Sequence, residues 1–378
     1  MIIKVKSINN IMSMKKLSIY FLSALAIASA VSCSKENSDP DPTPTPHVSE
    51  YVYVLSEGKM GENNATLSRY DLNDNFVEND WFSSVNNIPL GDTGNDIITT
   101  DKYIIIAING SNLIQFCDHD GQIKGNTEAV PSCRRMVADT TGKYLYVTSY
   151  AENGNLYRVN MSDFTVSGIA KTGYEPEGVV YYKGKLFVAN TGGYAYSGAH
   201  NYEQTITVVD EKTMATVGMV KTGHYNLYGA FVQNAKYPRY VLVNAAGDYG
   251  SNPASSFIFD CETEKVVAEY DFPATYAAQY DGAWYVLGSS FDYSTYKSEY
   301  ITKKIDMNEG SPVVTDWTIP DLDSMVSPYG IFITSRGGLF VTDAGDYVSR
   351  GTLYRYKLSG TLVSKETVGI NPGHFAEY

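Results

Sequence analysis

The sequence predicts an all-β fold, a seven-bladed β-propeller of four-stranded blades whose first blade is closed by strands from both termini. Three observations carry this. A hairpin with glycine at its turn and a strongly apolar second strand recurs along the chain. An alternating strand ending in Asp or Asn follows it. A short segment with Pro or Gly precedes it, and one copy of that segment ends the chain with no hairpin behind it.

The chain opens on an address. Met14-Lys15-Lys16 precedes the apolar run Leu17 to Ala28, and Ala30-Val31-Ser32-Cys33 closes it. A basic start, a short apolar core and small residues before a cleavage point make a secretory signal, too short for an ordinary spanning helix. Residues 1–13 read as upstream extension and Met14 as the true start. Cys33 at the end of the run resembles the lipobox of bacterial lipoproteins, which implies that Cys33 becomes the lipidated first residue. Residues 34–49 form a Pro-rich disordered tether, because repeated proline denies both helix and ladder. The acidic stretch behind Cys33 resembles the surface-export signal of Bacteroides-type lipoproteins. It implies an outer-membrane location facing outside the cell, with the membrane met through the lipid anchor only.

Residues 50–378 form one domain. The hairpin reads Thr141-Gly142-Lys143-Tyr144-Leu145-Tyr146-Val147, then Lys183-Gly184-Lys185-Leu186-Phe187-Val188. It returns as Tyr280-Asp281-Gly282-Ala283-Trp284-Tyr285-Val286 and Arg336-Gly337-Gly338-Leu339-Phe340-Val341. The glycine supplies the positive φ of a tight turn. The following strand runs Leu67 to Asp71, Leu156 to Asn160, Ile206 to Asp210, Phe257 to Asp260 and Lys303 to Asp306, and as Leu353 to Lys357 without the acid. Asp or Asn there starts an Asx-turn. The preceding segment is Pro176-Glu177-Gly178, Tyr228-Gly229 and Pro328-Tyr329-Gly330, with looser copies from Gly94, Arg134 and Tyr276 and a last one at Pro372-Gly373-His374-Phe375. First strands therefore recur about every 40–53 residues, the length of a four-stranded blade. Tyr51–Leu55 lacks a first strand of its own, and the C-terminal copy supplies it, removing an exposed sheet edge.

Composition narrows the function. The net charge is −13, and the first 33 residues hold four lysines and no acid, so the remainder is more acidic still. Such a surface repels phosphate backbones and excludes a nucleic-acid partner. Cys117, Cys133 and Cys261 are an odd set with no metal-knuckle spacing. A Cys117–Cys133 bridge and three buried thiols both remain open.

The blade pattern over residues 51–378 resembles the YncE-like seven-bladed propellers. Val54-Leu55-Ser56-Glu57-Gly58 followed by Asn63-Asn64-Ala65-Thr66-Leu67-Ser68 looks like the opening of Bacteroides surface-lipoprotein propellers, a group that includes the cobalamin-capture lipoproteins of the BtuG type. This resemblance implies capture of cobalamin or another corrinoid beside a TonB-dependent outer-membrane transporter.

Tyrosine is the unusual residue, 32 against 14 Phe and 3 Trp. After the second strands come Gly192-Gly193-Tyr194, Gly247-Asp248-Tyr249, Phe291-Asp292-Tyr293 and Gly345-Asp346-Tyr347, extended by Tyr196, Tyr202, Tyr296 and Tyr300. The loops before the first strands emerge on the same face with Tyr174, His224, Tyr225, Tyr276, Tyr329 and His374. Tyrosine gives a rigid ring and one hydroxyl, which suits recognition of a large, flat, amphipathic ligand. The expected ligand-binding set is this tyrosine and histidine group with Asp248, Asp292 and Asp346. A glycan-binding or protein-binding propeller is the alternative, although no Trp lies in these loops to stack a sugar. A second alternative is a metal-dependent lactonase-like hydrolase holding calcium on Glu57, Asn190, Asn244 and Asp343. No nucleophile elbow, phosphate loop or His-Glu-x-x-His is present, so no catalytic residue, metal or cofactor is assigned.

Overall fold

The computed structural model describes residues 49–193, 202–292, 297–308 and 311–378. Cys33 and the tether up to residue 48 lie outside the described residues, as do Tyr194, Tyr196, Tyr293 and Tyr296. The strands form seven antiparallel sheets of four, arranged in a ring, as the repeat predicts. The innermost strands of blades 2 to 7 are Gly94–Thr99, Cys133–Ala138, Pro176–Tyr182, Phe231–Gln233, Tyr276–Tyr280 and Pro328–Ile333. Blade 1 takes its innermost strand, Pro372–Glu377, from the C-terminus, and Val54 pairs with Phe375 across the closure. Tyr51 and Tyr378 extend the seam through reciprocal backbone hydrogen bonds of 2.8 and 3.0 Å.

The second strand of a blade is buried on both faces, which is why it reads as a continuous apolar run. Successive residues serve different neighbours. Tyr53 and Leu55 pack with Ile104 and Ile106 between blades 1 and 2, whereas Val52 and Val54 pack with Phe340 and Leu353 between blades 7 and 1. Seven such apolar layers, one for each pair of adjacent blades, make the core. Each fully buried Val, Leu or Ile contributes roughly 1.5–3 kcal/mol. The period-2 placement also settles the cysteines. Cys117 belongs to the layer between blades 1 and 2, and Cys133 to the layer between blades 2 and 3. The two lie in different layers, on opposite sides of blade 2, so the bridge does not form, and all three described cysteines are buried free thiols.

A six-residue helix, Trp81–Asn86, links blades 1 and 2 and sets Trp81 against Tyr53 at 5.4 Å. No helix among the described residues is long and apolar enough to cross a membrane.

Candidate functional site

The loops that lead into the innermost strands emerge on one face, called the upper face here. At its centre a cavity of about 370 Å³ descends along the ring axis. Its charged wall is made by backbone irregularity. In blades 1, 2, 3, 4 and 7 the innermost strand carries one extra residue near its start. The pairing steps from Cys133–Ser149 to Met136–Val147, from Pro176–Asn190 to Val179–Val188, and from Gly94–Ile108 to Asp96–Ala107. It does the same from Pro328–Asp343 to Gly330–Thr342, and between His374–Leu55 and Pro372–Ser56. A bulge re-aims the side chains around it. Here it brings Asp96, Arg134, Arg135, Glu177, Tyr329 and His374 together at the axis.

Glu177 is the hub, with 1% of its side chain exposed. Arg134 grips it with two parallel bonds, Nε to Oε2 at 2.8 Å and Nη2 to Oε1 at 2.9 Å. Arg135 Nε lies 3.3 Å from Oε1, and the Tyr150 hydroxyl donates to Oε2 at 2.6 Å. Burial alone would raise the Glu177 pKa, but the charges of both arginines and the bonds from Arg134 and Tyr150 bring it down to about 2. Arg134 also lies over the Tyr150 ring at 4.6 Å.

A second chain of bonds crosses to blade 1. Arg135 Nη1 lies 2.8 Å from His374 Nδ1 and also donates to the Asn95 carbonyl. A guanidinium only donates, so Nδ1 accepts and Nε2 carries the proton that it shares with Glu57 Oε1 at 3.1 Å. The Tyr329 hydroxyl donates to Glu57 Oε2 at 3.0 Å. Burial opposes ionisation of Glu57, yet the His374 bond and nearby Arg135 hold its pKa below the ordinary value. Gly373 makes room for this junction, since a Cβ there would stand 3.1 Å from both Glu57 Oε1 and the Tyr329 ring. Asp96 differs: burial raises its pKa despite Arg135 Nη1 at 3.9 Å, and its Oδ2 accepts the Met136 amide at 2.7 Å.

The opposite wall is aromatic. Tyr276 lies 6.1 Å from Tyr329, and Tyr329 meets Tyr347 edge-on at 5.8 Å. Tyr228 stands at the mouth, 45% exposed. Burial raises the Tyr276 phenol, and burial followed by the Glu57 charge raises that of Tyr329.

The expected binding set is therefore split. Tyr276, Tyr329 and His374 line the axial cavity. Tyr249 and Tyr347 stand on the rim, 65% and 49% exposed, both at positive φ. Tyr202 meets Tyr249 edge-on at 5.8 Å. Tyr174 and Tyr225 are half-buried in the loops before blades 4 and 5. Asp292 ends the long second strand of blade 6, Ala283–Asp292.

Three expected ligands of the site act instead as supports. Asp248 accepts the amides of Gly250 and Asn252 at 2.9 and 2.8 Å and the Asn252 side chain at 2.7 Å. Asp346 accepts the amides of Val348 and Ser349 at 2.9 and 2.6 Å, so both aspartates fasten their own loops. His224 turns outward, stacked on Phe257 at 4.6 Å and bonded to Ser255 Oγ at 2.9 Å.

The proposed calcium set does not converge. Asn190 Oδ1 accepts the Gly173 amide, and its Nδ2 donates to Thr205 and Thr207. Asn244 accepts the Ala274 amide, and Asp343 accepts those of Val326, Ser327 and Gly345. Each fastens backbone beside a strand end, and of the four only Glu57 lines the axial cavity. Among the described residues no group of three or more His, Cys, Asp or Glu is placed to hold a metal ion.

The fold and axial cavity define the class, a seven-bladed β-propeller with a polar funnel on one face. No protein-family model matches the chain, and no curated protein does. Among solved structures it is similar to hydrazine synthase of Kuenenia stuttgartiensis, with TM-score 0.60 and 14% identity over 74% of this chain and 88% of that one. It is also similar to the periplasmic gluconolactonase PpgL of Pseudomonas aeruginosa, with TM-score 0.57 and 12% identity over 86% of this chain and 98% of that one. At such identities the likeness is one of fold alone, and it does not reach the YncE-like or BtuG-type resemblance.

Proposed function

We propose that the protein is a ligand-capture propeller that holds its ligand at the upper face without transforming it. The observation that carries this reading is an imbalance in the funnel. All four oxygens of Glu57 and Glu177 are bonded to protein donors. The hydroxyls of Tyr228 and Tyr276 border the same cavity and have no hydrogen-bond partner among the described residues. Carboxylates so engaged are poor bases and poor cation ligands, which disfavours the lactonase alternative. Free phenols beside a cavity suit a ligand arm bearing acceptor oxygens, and the exposed rings of Tyr249 and Tyr347 suit a flat body above it.

A corrinoid meets both requirements, a broad ring edged with amide arms. A cavity of about 370 Å³ admits an arm, and the macrocycle would rest on the rim. In this reading the protein is anchored through Cys33 to the outer membrane, faces outward, and passes the ligand to a TonB-dependent transporter. Calorimetry with cobalamin and cobinamide tests it. Tyr249→Ala and Tyr347→Ala should each weaken binding by about 1–2 kcal/mol. No heat at micromolar concentration would reject the corrinoid, and a hit in a parallel glycan array would replace it. Cys33→Ala should abolish lipid labelling, and retained label would reject the anchor.

A further inference from the structure

The lower face carries a second hollow, of about 470 Å³, between blades 7 and 1. It is lined by Arg336, Arg355 and Lys357 together with Asn75, Thr334 and Tyr356. Arg336 sits in the turn between the first two strands of blade 7, and Lys357 ends the third strand, opposite Gly338. Arg355 precedes it by two residues and so shares its side of the strand.

Three cations meet here in a protein of net charge −13, and none forms an ion pair among the described residues. The acids nearby are engaged elsewhere. Both carboxylate oxygens of Glu377 accept the Ser335 amide, at 2.9 and 3.0 Å, and Glu377 feels Arg336 only through its charge. Asp71 accepts the amides of Asn73 and Asp74 at 2.8 and 2.9 Å. Arg355 is held in place, with Nη1 donating to the Leu72 carbonyl at 3.2 Å and to Asn75 Oδ1. Its guanidinium lies 5.4 Å from the Tyr70 ring and 5.8 Å from that of Phe340. Its Nε is buried without an acceptor. A fixed guanidinium beside two further cations without ion-pair partners, all three lining one hollow, is the chemistry of an oxyanion site.

We propose that this hollow is a binding site for a phosphate group, held by Arg336, Arg355 and Lys357. A phosphate carries close to two negative charges and several acceptor oxygens, which answers three cations better than one carboxylate does. The source is either a free phosphorylated solute or a lipid headgroup. Ser49, the first described residue after the segment leading from Cys33, accepts a bond from Arg336 Nη2.

The test uses the full chain carrying Cys33→Ala, so that no acyl chain confuses the result. Inorganic phosphate and pyrophosphate are titrated with ³¹P line broadening as readout. Vesicles of phosphatidylcholine, with and without phosphatidylglycerol, are tested by co-sedimentation. Saturable binding of the soluble anions assigns a free ligand, and binding to the phosphatidylglycerol vesicles alone assigns a headgroup. Lys357→Gln and Arg336→Gln should each weaken either one roughly tenfold, with melting unchanged. Arg355→Lys, which keeps the charge and loses the fork, should weaken it less than Arg355→Gln. No binding in any arm, or binding untouched by Lys357→Gln and Arg336→Gln, overturns the proposal.

Discussion

The two walls of the axial funnel come from one repeat and serve different ends. Blades 1 to 4 contribute Glu57, Asp96, Arg134, Arg135, Glu177 and His374, and their charges answer one another across the axis. Blades 5 to 7 contribute Tyr228, Tyr276 and Tyr329, and two of those three hydroxyls answer nothing among the described residues. The difference separates holding the ring together from meeting a ligand. A buried charge cluster is costly to break and therefore rigid. Unanswered phenols lose little when removed and are free to change partners.

The largest break in this contrast is loss of blade 1's innermost strand. Deleting residues 371–378 removes the whole pairing from Val52 to Ser56 and takes His374 from Glu57. The truncated chain should lose its cooperative melt and aggregate. A melting temperature equal to that of the parent would mean that the ring is not closed this way.

Next comes Glu177→Gln. It strands two guanidinia around a neutral amide, and breaking a buried pair costs about 3–5 kcal/mol. Urea unfolding measures it, and a loss below about 1 kcal/mol would show that the charged wall is ornament. The same residue gives a pH signature. Its folded pKa of about 2 lies below the ordinary 4.5, so the unfolded chain binds the proton first as pH falls. The stability it contributes is complete above the unfolded pKa and disappears as pH drops through the window from 4.5 to about 2. That contribution is roughly 3 kcal/mol. Glu177→Gln should remove this part of the acid slope.

These residues show how far the sequence could be read. Pro176-Glu177-Gly178 and the copy starting at Arg134 are visible as repeats, and so is the C-terminal strand that completes blade 1. Those features follow from apolar periodicity and turn chemistry, which are local. What turns Glu177 and both arginines to the axis is one extra residue in the pairing, and a bulge leaves no periodic trace. Without it, adjacent Arg134 and Arg135 would point to opposite faces. The rim tyrosines were legible because loop aromatics need only exposure. The roles of Asp248 and Asp346 were not, because an Asx-type loop fastener and a ligand acceptor look alike in sequence.

On the aromatic wall the effect on stability should be far smaller. Tyr276→Phe removes a hydroxyl that no protein group uses, so unfolding should shift by no more than about 0.5 kcal/mol. Affinity for the captured ligand should fall severalfold if the phenol meets an acceptor arm. A large destabilisation with unchanged affinity would reverse the assignment of the two walls.

The finest test lies inside the charged wall, between its two kinds of carboxylate. Burial raises the Asp96 pKa, so ionisation there costs stability rather than contributing it. The sign is opposite to that of Glu177: Asp96 favours the fold while protonated, below its ordinary pKa, and this benefit is lost as pH rises through the raised folded value. Asp96→Asn keeps an oxygen for the Met136 amide and gives up only a distant approach to Arg135, at 3.9 Å. At neutral pH the variant should lie within about 1 kcal/mol of the parent, on the stable side if on either. Its stability should also no longer decline through the window where Asp96 ionises. A loss matching that of Glu177→Gln would instead make Asp96 an ionised partner of Arg135, and the wall would hold three carboxylates acting alike.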